Sequence, residues 1–228
     1  MEDRGMNMKR VAIIHTVKSV LNSFEGDLKA ALEEDIKVNN LMDEFLASDP
    51  AEVGQFTIDN RNRLLMDIKT QELTGADIIV TTCSTLTPAV EMVRPFIKVP
   101  VIAIDDAMAR KGVTFGKKIF IMATAQSTVE PTIRNLNNQA EKAGVEIEIS
   151  KEVYDDAYTA VKVLDIEKHD NILREAAKKI KGYDCIILAQ ASMAHMENEI
   201  SEICNCPVLS SPSLCIEEIK EALNKINK

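Results

Sequence analysis

Short, unbroken apolar runs recur along the chain at Val11–Ile14, Ile78–Val80, Val101–Ile104, Ile119–Met122, Ile186–Ala189 and Val208–Leu209. Continuous rather than alternating apolar positions are the pattern of strands buried on both faces, as in a parallel sheet. Between the runs the spacing turns helical. Val129, Ile133, Leu136, Ala140 and Ala143 step by 4, 3, 4 and 3, which predicts one apolar helix face ending at Gly144. Ile172, Leu173, Ala176, Ala177 and Ile180 repeat the pattern before Gly182, and Leu64, Leu65, Ile68 and Leu73 do so before Gly75. Val145–Ile149 alternates, which suits an edge strand, and Ile36–Val38 is a further short strand candidate. Alternating strands and helices predict βαβ units around a parallel sheet, an α/β fold.

The chain also repeats itself. Gly75-Ala-Asp-Ile-Ile-Val-Thr-Thr-Cys83 lies over Gly182-Tyr-Asp-Cys-Ile-Ile-Leu-Ala-Gln190 at an offset of 107 residues, and the same offset places Pro100-Val-Ile102 on Pro207-Val-Leu209. Lys9-Arg-Val-Ala-Ile-Ile-His-Thr16 lies over Lys117-Lys-Ile-Phe-Ile-Met-Ala-Thr124 at 108. Three separated matches at almost one offset predict a duplicated α/β unit. The halves are expected at residues 1–108 and 109–228, with the C-terminal helix a candidate to close the first. Two such halves facing one another would leave a cleft at the carboxyl ends of their strands, where ligands of parallel sheets bind.

Composition narrows the function. Lys and Arg number 27 against 36 Asp and Glu, a net charge of −9, which argues against nucleic-acid and anionic-membrane partners. Aromatic residues make up 4% and Trp is absent, so base-stacking platforms are not expected. No targeting segment is visible: Met1–Arg10 is polar, and Val11–Ile14 is too short for a signal core or a membrane span. A cytoplasmic chain is expected, with its five cysteines as thiols. Small α/β enzymes are commonly homo-oligomers, and the same is expected here.

The expected strand ends are His15-Thr16, Thr82-Cys83-Ser84-Thr85, Thr124-Ala125-Gln126-Ser127-Thr128 and Gln190-Ala191-Ser192-Met193. They are rich in hydroxyls, carry one thiol and lack a Lys or Arg cluster. Hydroxyls beside helix N-termini suit a carboxylate ligand; Ser and Thr are equally the common N-cap residues. Cys83 follows an apolar strand and precedes a helix expected to start near Leu86–Pro88. A thiolate there could serve as base, acid or nucleophile, while a free Cys can also be a small buried hydrophobe. His15 either reaches the cleft or is structural, His195 could line the site, and His169 lies in a charged stretch where a solvated side chain is expected. The three histidines make no metal spacing with Cys204-x-Cys206, so no metal site is expected. The P-loop, dinucleotide and Gly-x-Ser-x-Gly signatures are missing from the sequence.

Val80-Thr-Thr-Cys-Ser-Thr-Leu86, Ile121-Met-Ala-Thr-Ala-Gln-Ser-Thr128 and Ile187-Leu-Ala-Gln-Ala-Ser-Met193 resemble the aspartate/glutamate/hydantoin racemase superfamily over nearly the whole chain. The resemblance implies two pseudo-symmetric flavodoxin-like halves with the active site in the cleft between them. It also implies chemistry without a cofactor or metal, acting on a small-molecule carboxylate. In the family's racemases two cysteines face each other across the substrate, one removing the α-proton and the other delivering one. Cys83 matches the first. Gln190 stands where the second belongs, and a carboxamide carries no proton near neutral pH. The resemblance therefore implies a racemase or isomerase acting at the α-carbon with a single cysteine. A cofactor-free decarboxylase and a ligand-binding member without catalysis are the alternatives. Cys83 and Gln190 are the catalytic-position candidates. His15, Thr16, Ser84, Thr85, Thr124, Ser127, Thr128, Ala191, Ser192 and His195 are the substrate-binding candidates.

Overall fold

The computed structural model describes residues 8–32 and 35–226, so most of the polar opening Met1–Arg10 lies outside the described residues. The chain divides into two compact units, Met1–Ile104 with Ile216–Lys228, and Asp105–Cys215. The boundary falls four residues before the expected one at 108/109, and the C-terminal segment groups with the first unit.

In the first unit the elements run β1 (Lys9–His15), α1 (Lys18–Ala31), β2 (Ile36–Met42), α2 (Phe45–Val53), α3 (Ile58–Glu72), β3 (Ile78–Thr81), α4 (Thr87–Val93) and β4 (Val101–Ala103). The strands form one parallel sheet in the order β2-β1-β3-β4. The second unit contains α5 (Asp106–Gly112), β5 (Lys118–Ala123), α6 (Gln126–Ala143), β6 (Glu148–Val153), α7 (Asp155–Lys162), α8 (Ile166–Ala177), β7 (Cys185–Leu188), α9 (Glu197–Cys204), β8 (Val208–Leu209) and the start of α10 (Ser211–Ile226). Its sheet is parallel, in the equivalent order β6-β5-β7-β8.

The registers carry the duplication to the level of single residues. Ile79 pairs with Val101 and Ile186 with Val208, at the 107-residue offset. Ile14 pairs with Thr81 and Met122 with Leu188. The Asp77 carboxylate accepts the Arg10 N–H at 2.8 Å, and Asp184 accepts the Lys118 N–H at 2.9 Å, so each Gly-x-Asp motif pins the start of its central strand.

The central strands are apolar through their interiors, Val11–Ile14, Ile78–Val80, Ile119–Ala123 and Cys185–Leu188, because both sheet faces are covered. In β5, Ile119, Ile121 and Ala123 join the cluster of Val129, Leu136 and Ala140 from α6, while Phe120 and Met122 face Leu173, Ala176 and Ala177 from α8. In the first unit Ala12, Ile14 and Ile79 pack with Leu64, Ile68 and Val90. Gly144 ends α6 with φ +67°, as the periodicity predicts.

Two edge strands differ from expectation. β2 runs on through Asn39 and Asn40 to Met42. β6 begins at Glu148, because Val145 closes the end of α6 by donating its N–H to Ala140 O at 3.0 Å. Edge strands face solvent along much of one side, so polar residues fit in them and blur their limits. No helix among the described residues is long and apolar enough to cross a membrane.

Candidate active site

The first unit builds its strand-end turn from β1, β2 and β3. Past Thr81 the chain continues extended, with the Thr82 N–H on Ile14 O at 3.1 Å. Cys83 is extended at φ −134°, ψ 121° and opens a single 3-10 turn, Ser84–Leu86, ahead of the seven-residue α4. The helix expected at Leu86–Pro88 is thus short and preceded by a tighter turn. Cys83 is partly exposed, and its apolar side packs against the buried cluster below.

His15 ends β1 with no exposed surface, so it presents no face to solvent. Its partners fix its tautomer. Asn40 donates its amide to Glu25, so its Oδ1 must accept, at 3.1 Å, from His15 Nε2. His15 Nδ1 then accepts from the Thr82 hydroxyl at 2.9 Å. Burial lowers the His15 pKa, against the opposing pull of Asn40 and Glu25, and keeps the ring neutral. His15 therefore holds Thr82, the residue before Cys83, from behind. Thr16 is also buried, and its hydroxyl has no partner among the described residues.

The second unit repeats this backbone with other side chains. Gln190 is extended at φ −130°, ψ 141° and leads into the 3-10 turn Ala191–Met196. Leu86 N–H bonds to Cys83 O at 3.0 Å, and Met193 N–H bonds to Gln190 O at 3.1 Å. Cys83 and Gln190 thus hold equivalent positions. The repeat also sets His15 against Ala123 and Thr82 against Ala189, so the buried polar pair of the first unit is absent from the second. Gln190 Oε1 accepts the Thr124 N–H at 3.0 Å, while its Nε2 is buried without a partner among the described residues.

Several candidate hydroxyls do not cap helices. The N-cap positions of the turns at Cys83 and Gln190, and of α6 at Ala125, carry no side-chain cap. Ser84 and Thr124 are buried, Thr85 and Ala191 partly exposed, Ser127 and Ser192 exposed. Thr128 donates its hydroxyl back to Ala125 O at 2.9 Å. The first turn of α6 holds no acidic residue, so its N–H groups remain suited to an anion.

Burial holds three of the remaining thiols in their uncharged form. Burial pushes Cys185, inside β7, up to about 12 and raises Cys204 and Cys206 as well. Cys215 is buried.

The fold assembles two polar clusters that the sequence did not expose. Asp43, directly after β2, is buried and ion-paired with Arg63 of α3. Asp67, one turn further along α3, has its pKa raised to about 7 by burial and by the neighbouring Asp43 carboxylate. The only sequence signal was the polar end of β2. In the second unit, His169 corrects the expectation of a solvated side chain: it has no exposed surface. It shares the buried stripe of Leu173, Ala176, Ala177 and Ile180, at helical spacings of 4, 7, 8 and 11. His169 Nδ1 lies 2.7 Å and His195 Nε2 2.8 Å from the same Asp170 oxygen, an arrangement that could hold a metal ion.

Two parallel-sheet units of one topology, with equivalent polar turns after the third strand, define a tandem α/β protein of duplicated halves. The family model for Asp/Glu/Hydantoin racemase matches residues 14–219, and the chain belongs to that family. Among solved structures it is similar to a glutamate racemase isoform from Bacillus anthracis, at 14% identity and TM-score 0.72, covering 96% of this chain and 82% of the other. It is also similar to the aspartate racemase of Picrophilus torridus (19%, TM-score 0.64, 94% of each chain). The allantoin racemase of Klebsiella pneumoniae gives 16% identity and TM-score 0.63, covering 96% of this chain and 89% of that one. At these identities the likeness establishes the fold.

Proposed function

We propose that the chain is a cofactor-independent racemase or isomerase acting at the α-carbon of a small carboxylic acid, with Cys83 as its one acid–base cysteine. The observation that carries this reading is the equivalence of the two strand-end turns: one backbone geometry, a partly exposed thiol at one and a carboxamide at the other.

An α-proton beside a carboxylate is a very weak acid, so the carbanion formed on its removal needs hydrogen-bond donors on the carboxylate oxygens. The Cys83 thiolate takes the α-proton and becomes a thiol, and the substrate becomes an enediolate. Return of the proton from Cys83 regenerates the acid with its original configuration, and slower protonation by solvent water on the opposite face gives the inverted acid. Thr16, Ser84 and Thr85 supply hydroxyl donors. Thr124, Ser127 and the N-terminus of α6 supply the donors of the second turn. The Gln190 amide, with its Nε2 hydrogens unpartnered, is a hydrogen-bond donor at the equivalent turn and transfers no proton.

One thiol predicts a kinetic signature. Proton return from Cys83 reaches the face it came from, so exchange with solvent outpaces inversion. Incubating candidate chiral acids in D2O tests this: α-deuterium should enter, read by NMR, faster than optical rotation decays. Cys83→Ala should lower exchange by about 10²–10⁴-fold with an unchanged melting temperature. Full exchange in that variant overturns the assignment. Carbon dioxide release would identify a decarboxylase instead, and ligand-induced stabilisation without exchange or product a binding protein.

A further inference from the structure

We propose that His169, Asp170 and His195 form a binding site for one divalent transition cation of the zinc or cobalt type. Their three ligand atoms lie within 4.8 Å of one another, two imidazole nitrogens around one carboxylate. The set mixes nitrogen and oxygen donors, which favours zinc or cobalt over magnesium or calcium. Bonds of about 2.0–2.2 Å in tetrahedral geometry place ligand atoms roughly 3.3 Å apart. The two nitrogens at 2.7 and 2.8 Å from Asp170 thus need to part by about half an ångström as the cation replaces the shared protons.

The surroundings fit a half-open site. His169 has no exposed surface and forms the floor, while the His195 side chain is 47% exposed and forms the entrance, where water completes the coordination. Arg174 binds both carboxylate oxygens of Glu199 and also Asn171, which neutralises Glu199 and keeps it out of the ligand set. One feature limits the affinity. Ligation through Nδ1 moves the His169 proton to Nε2, which is buried without a partner among the described residues. An unsatisfied buried donor weakens binding about ten- to a hundredfold, so micromolar rather than nanomolar affinity is expected. Such a cation would fasten α8 to the turn that follows Gln190. It is a staple, with no part in the proton transfers at Cys83.

The test is a cobalt(II) titration of the full chain, followed by zinc competition. The expected result is one equivalent bound with the visible bands of low-coordinate cobalt, no near-ultraviolet sulfur-to-cobalt band, and displacement by zinc. Zinc at about a hundred times its Kd should raise the melting temperature by roughly 5–10 °C. His195→Gln and Asp170→Asn, at positions that retain solvent exposure, should each weaken binding at least about tenfold. A sulfur band would assign the metal to the cysteines and overturn the proposal. Unchanged affinity in both variants, or no binding by the parent chain, would overturn it equally, leaving a hydrogen-bonded His–Asp–His cluster alone.

Discussion

Asp67 should make the protein less stable as pH rises, opposite to the usual behaviour of a paired carboxylate. Its pKa is raised from 3.8 to about 7 by burial and by the adjacent Asp43 carboxylate, which Arg63 holds ionised. The folded chain therefore binds a proton that the unfolded chain has already lost. That stabilisation is complete below the unfolded pKa near 3.8 and disappears as pH climbs through about 7. The full shift corresponds to about 4 kcal/mol. Asp67 is only partly buried, and solvent screening reduces this to roughly 1–2 kcal/mol. Asp67→Asn keeps a hydrogen-bond donor for Asp43 at every pH and removes the second charge. The variant should match the parent near pH 3.5, below the unfolded pKa, and exceed it by about 1–2 kcal/mol at pH 8, a rise of roughly 2–8 °C in melting temperature. Thermal denaturation of both proteins from pH 3.5 to 8 measures the difference directly. Parallel curves, with one constant offset, would refute the shared-proton account of this pair.

Three further outcomes follow from the same geometry. Gln190→Ala removes the acceptor of the Thr124 N–H and should cost about 1–2 kcal/mol in urea denaturation; unchanged stability contradicts that partnership. His15→Leu leaves the Thr82 hydroxyl and Asn40 carbonyl without their partner, and should cost about 2–3 kcal/mol in urea denaturation. The lowered His15 pKa gives the parent stability that is present above pH 6.5 and lost in acid, and the variant should lose that slope. Gly116→Ala combines φ +154° with a methyl 2.6 Å from Asp184 Cβ, and should cost about 2–4 kcal/mol by the same assay.

What the sequence made legible is what local patterns encode. Val11–Ile14 and Ile119–Met122 were readable as strands because both faces of a central parallel strand are covered, which leaves no polar position to interrupt the run. β2 was mostly hidden, since an edge strand accommodates Asn39 and Asn40, and Asp43 and its partner Asp67 were hidden with it. His169 was misplaced because Glu167, Lys168 and Asp170 surround it in sequence. On a helix, residues three and four apart share a face and immediate neighbours do not, so the buried stripe outweighs the charged flanks. Its partner His195 comes 25 residues after Asp170 on a different element, and no spacing rule links them.

The repeat proved more informative where it fails than where it holds. Matched positions such as Asp77 and Asp184, or Ile79 and Ile186, do the same structural work in each unit and identify the fold. Three of the mismatches fall together at the strand ends. His15 and Thr82 are a hydrogen-bonded pair where the second unit has Ala123 and Ala189, and Cys83 is a thiol where it has Gln190. Packing does not force these differences, because each sheet keeps its register and its apolar interior on either side of them. A buried imidazole that keeps its neutral form costs stability in acid, and alanine at the same site of the second unit avoids that cost. Retaining it beside the thiol turn, and only there, is the asymmetry expected if the first unit orders a reactive sulfur and the second offers donors to charge.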